Sequence, residues 1–321
     1  MDLSGQLKLH ELQTLEALSR HRSIARTAEA LHLTPAAVHS RLKLLEGKLG
    51  VPLYEPVGHA LQLTQAAEVV LPHIRSVILA NEAVFTSLRE WQGTDAGRVR
   101  LATGSTFSSH LLPPLLDAFR HESPEAEVVV ETGKARQLLD RLARGVVDVA
   151  LTLSSRLVDN PALRVGATWD FDFVLVRRGG DAPAALALPS AERYALLELE
   201  AVPFILHQRG SRLGELIDQY FSQLNFHPNV VMRFDHPATT RAMVQAGLGI
   251  SILPRWTVAD DLAAGTLVQI PQREPPLVAK LALVTRRTSY TPRAVAAFTR
   301  LAARWHWRGG LHACAAHDGT A

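Results

Sequence analysis

The residues with most to offer chemically lie between Ser23 and Leu49, in the run SIARTAEALHLTPAAVHSRLKLLEGKL. At about 100° per residue, Ala36, His39, Ser40, Lys43 and Gly47 share one face of a helix, and Val38, Leu42, Leu45 and Leu49 share the opposite one. The first face is small and polar at its N-terminal end, so its side chains can hydrogen-bond base edges in a major groove. Lys43, with Arg41 on its flank, suits phosphates. A second set, Thr103-Gly104-Ser105-Thr106, puts hydroxyls and backbone donors where a strand passes into a helix, a position at which open α/β sheets bind anions. That loop also reads as an ordinary helix cap.

Other chemistry has little support. There is no G-x-S-x-G elbow, phosphate-binding loop or H-E-x-x-H, and Gly247-Leu248-Gly249 lacks the third glycine and leading strand of a dinucleotide fingerprint. No pairing of carboxylates suggests a metal-dependent nuclease. His306, His312, Cys314 and His317 are metal-ligand types, but their Gly/Ala-rich tail has no rigid element to fix their geometry. No metal site, cofactor or catalytic residue is therefore expected.

The elements that must position these groups are marked by start and stop signals. Ser23 stands as the N-cap of a short helix carrying Ile24, Ala28 and Leu31 on one side, and Thr34 followed by Pro35 starts the next. After Leu49, GVPLYEPVGHALQLT holds two short apolar runs around Gly58-His59-Ala60, the pattern of a two-stranded wing that touches DNA backbone or minor groove. Two amphipathic helices alone would also fit a plain helical hairpin; the wing favours DNA binding. From 65 to 92, Ala67, Val70, Ile74, Val77, Asn81, Val84, Leu88 and Trp91 recur at spacings of three and four. This heptad seam predicts a dimerisation helix, with Asn81 setting register, against the alternative of a long helix packed on its own domain. Pro72 predicts a bend or a restart.

Gln92 to Gly97 reads as a hinge. Beyond it RVRLATGSTF, EVVVET, VDVALTL, DFVLVRR, PFILHQR, VVMRF, GISILP and KLALVTR predict strands. Helices are predicted over 111–121, 135–144, 214–224 and 237–246. The opening βαβαβ order implies parallel strands and an α/β class.

With 321 residues, 47% hydrophobic and 20% charged, the chain can bury a sizeable core divided over two or three units. Net charge is +3, and residues 1–64 hold seven Lys/Arg against six Asp/Glu, so DNA binding must rest on where cations point, not on bulk charge. Met1 to Gln13 carries Asp2, Lys8, His10 and Glu11 and fits neither a signal peptide nor a membrane span, so a cytoplasmic location without membrane contact is expected. The lone Cys314 excludes a disulfide framework.

The run ALHLTPAAVHSRLKLLEGKLGVPLYEPVGHALQLTQAAEVVLP resembles the signature of LysR-type transcriptional regulators. It departs in two places. Pro35-Ala36 stands where the family usually has Gln-Pro, and Pro56 where the wing usually has Arg, so contacts through that Gln and Arg have no counterpart here. The resemblance implies a multidomain chain. A winged helix-turn-helix occupies 1–64, a linker helix 65–92, and a two-lobed α/β domain similar to type 2 periplasmic binding proteins 93–305, with a disordered tail at 306–321. Crossings between lobes are expected near Val165–Asp170 and Thr266–Ile270.

DNA contacts are expected from Ser23, Thr34, Pro35, Ala36, His39, Ser40, Arg41, Lys43 and His59, and dimerisation through Val70, Ile74, Val77, Asn81, Val84 and Leu88. By the same resemblance, Ser105, Thr106, Thr152, Gln208, Arg209, Ser211 and Gly247 wall an effector cleft. Ser105, Thr106 and Thr152 would hold a small anionic metabolite, with Arg209 as counter-charge. The implied partners are double-stranded promoter or operator DNA, the effector, RNA polymerase and further copies of the chain, as homodimer and homotetramer. A solute-binding protein would share the cleft but not the N-terminal motif; an enzyme would share only the α/β frame.

Overall fold

Two units divide the chain, Met1–Asp95 and Ala96–Ala321, and the computed structural model describes residues 7–57, 60–91, 97–153, 160–180, 192–288, 290–307 and 311–313. In the first unit, helices α1 (Leu9–His21), α2 (Ile24–Ala30) and α3 (Pro35–Leu49) precede a hairpin of β1 (Tyr54–Val57) and β2 (Ala60–Leu63), then helix α4 (Gln65–Trp91). Thr34 starts α3 with its hydroxyl, which accepts the Ala37 N–H at 3.2 Å, and Pro35 sits at the first helical position. Gly50, at φ 72°, closes α3 in the left-handed region that favours glycine. Ser23 is the N-cap of α2, but its side chain makes no capping bond. The apolar stripes of the helices meet in a core of Leu12, Leu15, Leu18, Ala28, Val38, Leu42, Leu45 and Leu53. The antiparallel hairpin forms as expected; Gly58 and His59 lie outside the described residues.

Two expectations for α4 need correction. The helix runs unbroken through Pro72, which lies on an exposed turn, where water can serve the carbonyl that proline leaves without a donor. Its first half is not a free seam. Ala67, Leu71 and Ile74 are buried in the unit's own core, and Val70 packs against it, so Val70 and Ile74 are committed at home. The exposed apolar row is Val77, Val84, Phe85 and Leu88, with Asn81 partly exposed.

In the second unit β3 (Arg98–Thr103), α5 (Ser105–His110), α6 (Leu112–Glu122), β4 (Glu127–Thr132), α7 (Ala135–Ala143) and β5 (Val149–Leu153) come first. Strand β3 lies parallel to both β4 and β5, as the βαβαβ order requires. Then follow β6 (Leu163–Arg178), β7 (Pro203–His207), α8 (Arg212–Gln223), β8 (Asn229–Phe234), α9 (Pro237–Gln245), β9 (Ser251–Pro254), α10 (Ala259–Ala264) and β10 (Leu267–Gln269). Strand β11 (Val278–Arg286), helix α11 (Arg293–Arg304) and β12 (Leu311–Ala313) end the fold.

The long strand β6 joins two lobes. It pairs with β11 over 163–172, then with β9 and β10 over 173–178. Residues 165–170 therefore belong to the first lobe's sheet, and the change of partners falls at Asp172–Phe173. No turn signal marks it, because the backbone stays extended throughout. The 266–270 segment includes β10, still paired to β6 in the second lobe, and the return passage follows it at 270–277. The tail also differs from expectation. Strand β12 pairs with β6 at Trp169–Phe171, and Trp307 is buried with its ring 5.6 Å from that of Trp169. The two indoles meet edge to face, an arrangement aromatic pairs favour, and burial of Trp307 holds this part of the tail against the sheet.

Candidate functional site

Helix α3 turns Pro35, Ala36, His39, Ser40, Lys43 and Gly47 to solvent while Val38, Leu42 and Leu45 are buried. Thr34 is exposed at its start, Arg41 is half-buried, and Ser23 is partly exposed at the start of α2. Leu44 is exposed as well, which the sequence reading did not single out.

Three side chains tie this face to the wing. The Tyr54 hydroxyl and His39 Nδ1 lie 3.1 Å apart. Lys43 donates from Nζ to Glu46 at 2.8 Å and stands 5.7 Å above the Tyr54 ring, in reach of its π-cloud. Glu46 also accepts the Leu53 N–H at 2.8 Å, fixing the chain as it leaves α3 for β1. Burial pushes the Glu46 carboxyl up, but the Lys43 ammonium and the Leu53 N–H outweigh it and hold the group below the usual carboxylate range. The same bond raises Lys43. Burial and the neighbouring Glu46 push the Tyr54 phenol up. Tyr54 and Glu46 escaped the sequence reading because neither falls on the exposed face of α3; their roles arise where helix and wing meet.

The second unit holds a cleft of about 730 Å³, within the usual range for small-molecule sites. The first turns of α7 and α8 open onto it, with Lys134 and Ser211 as their N-caps, and His236, the N-cap of α9, lines it as well. Their N–H groups and dipoles make the cleft favourable to negative charge. Ser105, Thr106 and Thr152 line it, with Arg136 and Arg212 adding cations. Ser211 is held by bonds at both ends: its hydroxyl donates to the Gln208 carbonyl at 2.8 Å and accepts the Gly214 N–H at 3.1 Å. Position 214 must be glycine, because a Cβ there would collide with the Gln208 carbonyl.

Of the seven residues expected to wall the cleft, Ser105, Thr106, Thr152 and Ser211 are among its lining residues; Gln208, Arg209 and Gly247 are not. Gln208 spends its backbone on the turn into α8. Arg209 is 80% exposed and faces Asp218 at 3.7 Å, so the expected counter-charge points elsewhere. Gly247, at φ 77°, closes the turn after α9 by donating to the Val244 carbonyl. Lys134, Arg136, His207, Arg212 and His236 take their places. Only Ser211 among the three N-caps has a side chain that announces a helix start.

The comparisons with known proteins fall on the same two units. Residues 9–68 match the model for bacterial regulatory helix-turn-helix proteins of the lysR family, and residues 92–307 match the LysR substrate binding domain. The RuBisCO operon transcriptional regulator of Acidithiobacillus ferrooxidans is 29% identical over 281 residues, 85% of each chain. The transcriptional activator CmpR of Synechocystis is 28% identical, over 81% of this chain and 83% of the relative. Among solved structures, ArgP of Mycobacterium tuberculosis superposes with a TM-score of 0.70 at 20% identity, covering 95% of this chain and all of that one. Full-length CbnR in complex with its target DNA gives 0.55 at 20% identity, covering 92% and 98%. With both domain types matched in order along one chain, the protein belongs to the LysR family of transcriptional regulators, which join a helix-turn-helix DNA-binding domain to an effector-binding domain.

Proposed function

We propose that α3 reads an operator through Ala36, His39 and Ser40, that Lys43 and Arg41 meet phosphates, and that the cleft takes a small anionic metabolite. The observation that carries the first part is the division of α3 into a closed apolar side and a continuous small, polar, exposed side. Thr34 and Pro35 stand at the groove-facing start of the helix, and Ser23 approaches the backbone from α2; a DNA contact from His59 is an expectation of the sequence alone. For the effector, the support is three helix N-termini and the cations Lys134, Arg136 and Arg212 around one cleft. Ser105, Thr106, Thr152 and Ser211 supply hydroxyls to orient the ligand.

The exposed row Val77, Val84, Phe85 and Leu88, with Asn81 beside it, is read as the seam of a homodimer, two of which form a tetramer. Over Gln65–Leu88, α4 is long and apolar enough to cross a membrane by length and composition. The face of its first half that is buried in the unit's core, through Ala67, Leu71 and Ile74, and Arg75 held 3.7 Å from Glu16, support helix pairing instead. Effector binding then changes lobe closure, closure changes subunit packing, and packing resets the spacing of paired recognition helices and their contacts with promoter DNA and RNA polymerase. Such a protein works in the cytoplasm.

Selection of bound genomic fragments by the purified protein at two salt concentrations tests this reading. The expected result is a dyad-symmetric site with half-sites about one helical turn apart or a multiple of it. Lys43→Ala should weaken binding across sequences, and His39→Ala should alter base preference. Fragments bound no better than bulk DNA would overturn it.

A further inference from the structure

His207 is the last residue of β7, and it lines the cleft although only 1% of it is exposed. Both ring nitrogens are buried and neither makes a well-formed hydrogen bond; burial lowers the ring's pKa, and the Phe234 backbone, near enough to act on the ring, raises it without offsetting burial. Among the described cleft-lining residues, it alone has buried side-chain polar atoms left unsatisfied. Its backbone, by contrast, is fully engaged: the carbonyl accepts from Arg233 at 2.8 Å, and the next N–H, that of Gln208, donates to the Phe234 carbonyl. A buried polar group without a full partner at the wall of a ligand cleft marks a place where a ligand completes the bonding once the ring turns toward it.

We propose that His207 is a specificity-determining residue, and that the effector is an oxyanion carrying a hydroxyl: the anionic group lies at the helix N-termini, the hydroxyl on the imidazole. The inference rests on the reading of this cleft as the effector site. Burial, with His236 nearby, keeps the ring neutral, its pKa lowered to about 4. A neutral imidazole has one donor and one acceptor nitrogen. A carboxylate or phosphate only accepts, so it suits one tautomer and must surrender its hydration beside an uncharged ring. A hydroxyl donates and accepts, and satisfies either nitrogen. The charged end has a better place nearby, against Lys134, Arg136 and the first turns of α7 and α8. Asp235 and Glu215 line the cleft too, and Glu215, in the first turn of α8, is bonded to Arg212 at 2.9 Å, so negative charge is steered toward the α7 end.

The anion can be a carboxylate or a phosphate ester, and matched probes separate the two. Calorimetric titration of the full-length protein would compare malate with succinate, and glycerol 3-phosphate with propyl phosphate. The hydroxylated member of one pair should bind at least about ten-fold more tightly than its partner, the scale expected when a site's polar group is left unpaired. His207→Phe should erase that preference while leaving the affinity of the deoxy probe unchanged, and His207→Gln, which keeps a donor and an acceptor, should restore part of it. Melting curves of both variants verify folding. A preference that survives His207→Phe, or no preference in either pair, overturns the inference. Arg136→Ala and Arg212→Ala test the underlying reading separately: if they leave probe binding untouched, the cleft is not the anion site. Binding that needs those arginines but ignores position 207 sinks only the hydroxyl assignment.

Discussion

Glu46 performs two tasks with opposite consequences for DNA binding, and removing it should separate them. One oxygen accepts the Leu53 N–H at 2.8 Å; the other accepts Lys43 Nζ at the same distance. Leu53 is fully buried, so Glu46→Ala leaves that N–H without partner or water, at a cost of about 1–3 kcal/mol. The Lys43 half contributes little, because the lysine side chain is 60% exposed and solvent screens the pair. Glu46→Ala therefore costs the N-terminal unit about 1–3 kcal/mol of stability. In a unit of this size that corresponds to roughly 4–24 °C in Tm. Losing Glu46 also releases Lys43, and one further cation on phosphate steepens the logarithmic salt dependence of non-specific DNA binding by about 0.9.

Stability should thus fall while low-salt affinity for bulk DNA rises. Glu46→Gln divides the two effects: its amide oxygen still accepts the Leu53 N–H, so the melt moves little, whereas Lys43 is no longer held by a charge. Native-state hydrogen exchange at the Leu53 amide reads the first effect, and titration of a non-operator duplex at several salt concentrations reads the second. An unchanged salt slope in Glu46→Gln, or undiminished protection of Leu53 in Glu46→Ala, would refute the reasoning. The pH dependence has a definite sign. Glu46 is held below its ordinary value of 4.5, so its contribution is present above that value and disappears as pH falls through the lowered folded value.

Lys48→Ala should destabilise the first unit by about 3 kcal/mol, because Glu11, 1% exposed and bonded to Lys48 at 2.7 Å, would keep, among the described residues, only the Lys8 N–H as hydrogen-bond partner to its buried charge. Denaturant titration checks this, and Glu11→Gln in the same chain should recover most of the loss. Arg209→Ala should leave oxyanion binding unchanged and Arg212→Ala should weaken it several-fold, since only Arg212 lines the cleft; calorimetry with the probes above decides. Val84→Asp with Leu88→Asp should shift the sedimentation coefficient toward that of a monomer without lowering the melting temperature, because both side chains are exposed and make no part of the core.

The two sites were unequally legible in the sequence, and the reason is the range over which each is built. The face of α3 is a local property: period, cap and closing glycine all lie within Thr34–Gly50, and solvent exposure follows once Val38, Leu42 and Leu45 find a core. The cleft gathers the first turns of α7 and α8 and the N-cap of α9, segments far apart in the chain, and two of the three N-caps, Lys134 and His236, are not capping types. Arg209 and Arg212 look interchangeable in the run QRGSRLG. Only the turn geometry at Gly210, with φ 82°, sends one away and brings the other in. His207 was hidden for another reason. Strand β7 is covered on both sides, so PFILH shows no alternation from which to read where its terminal histidine points.

The departures at Pro35 and Pro56 bear on how this chain can recognise DNA. Pro56 lies in the wing strand β1 opposite Leu61 and adds no cation there. Lys43, exposed on the recognition face, already shares its charge with Glu46. Of the cations on or flanking that face, Arg41 is half-buried. With phosphate attraction reduced in this way, discrimination must fall more heavily on short polar contacts made by α3, where orientation matters more than charge. Tyr54 is placed to supply that orientation. With the phenol as donor to His39 Nδ1, the imidazole would carry its hydrogen on Nε2 and offer a donor to N7 or O6 of a purine. On the proposed reading of α3, the wing would then act on base recognition through this helix, in place of a phosphate contact of its own.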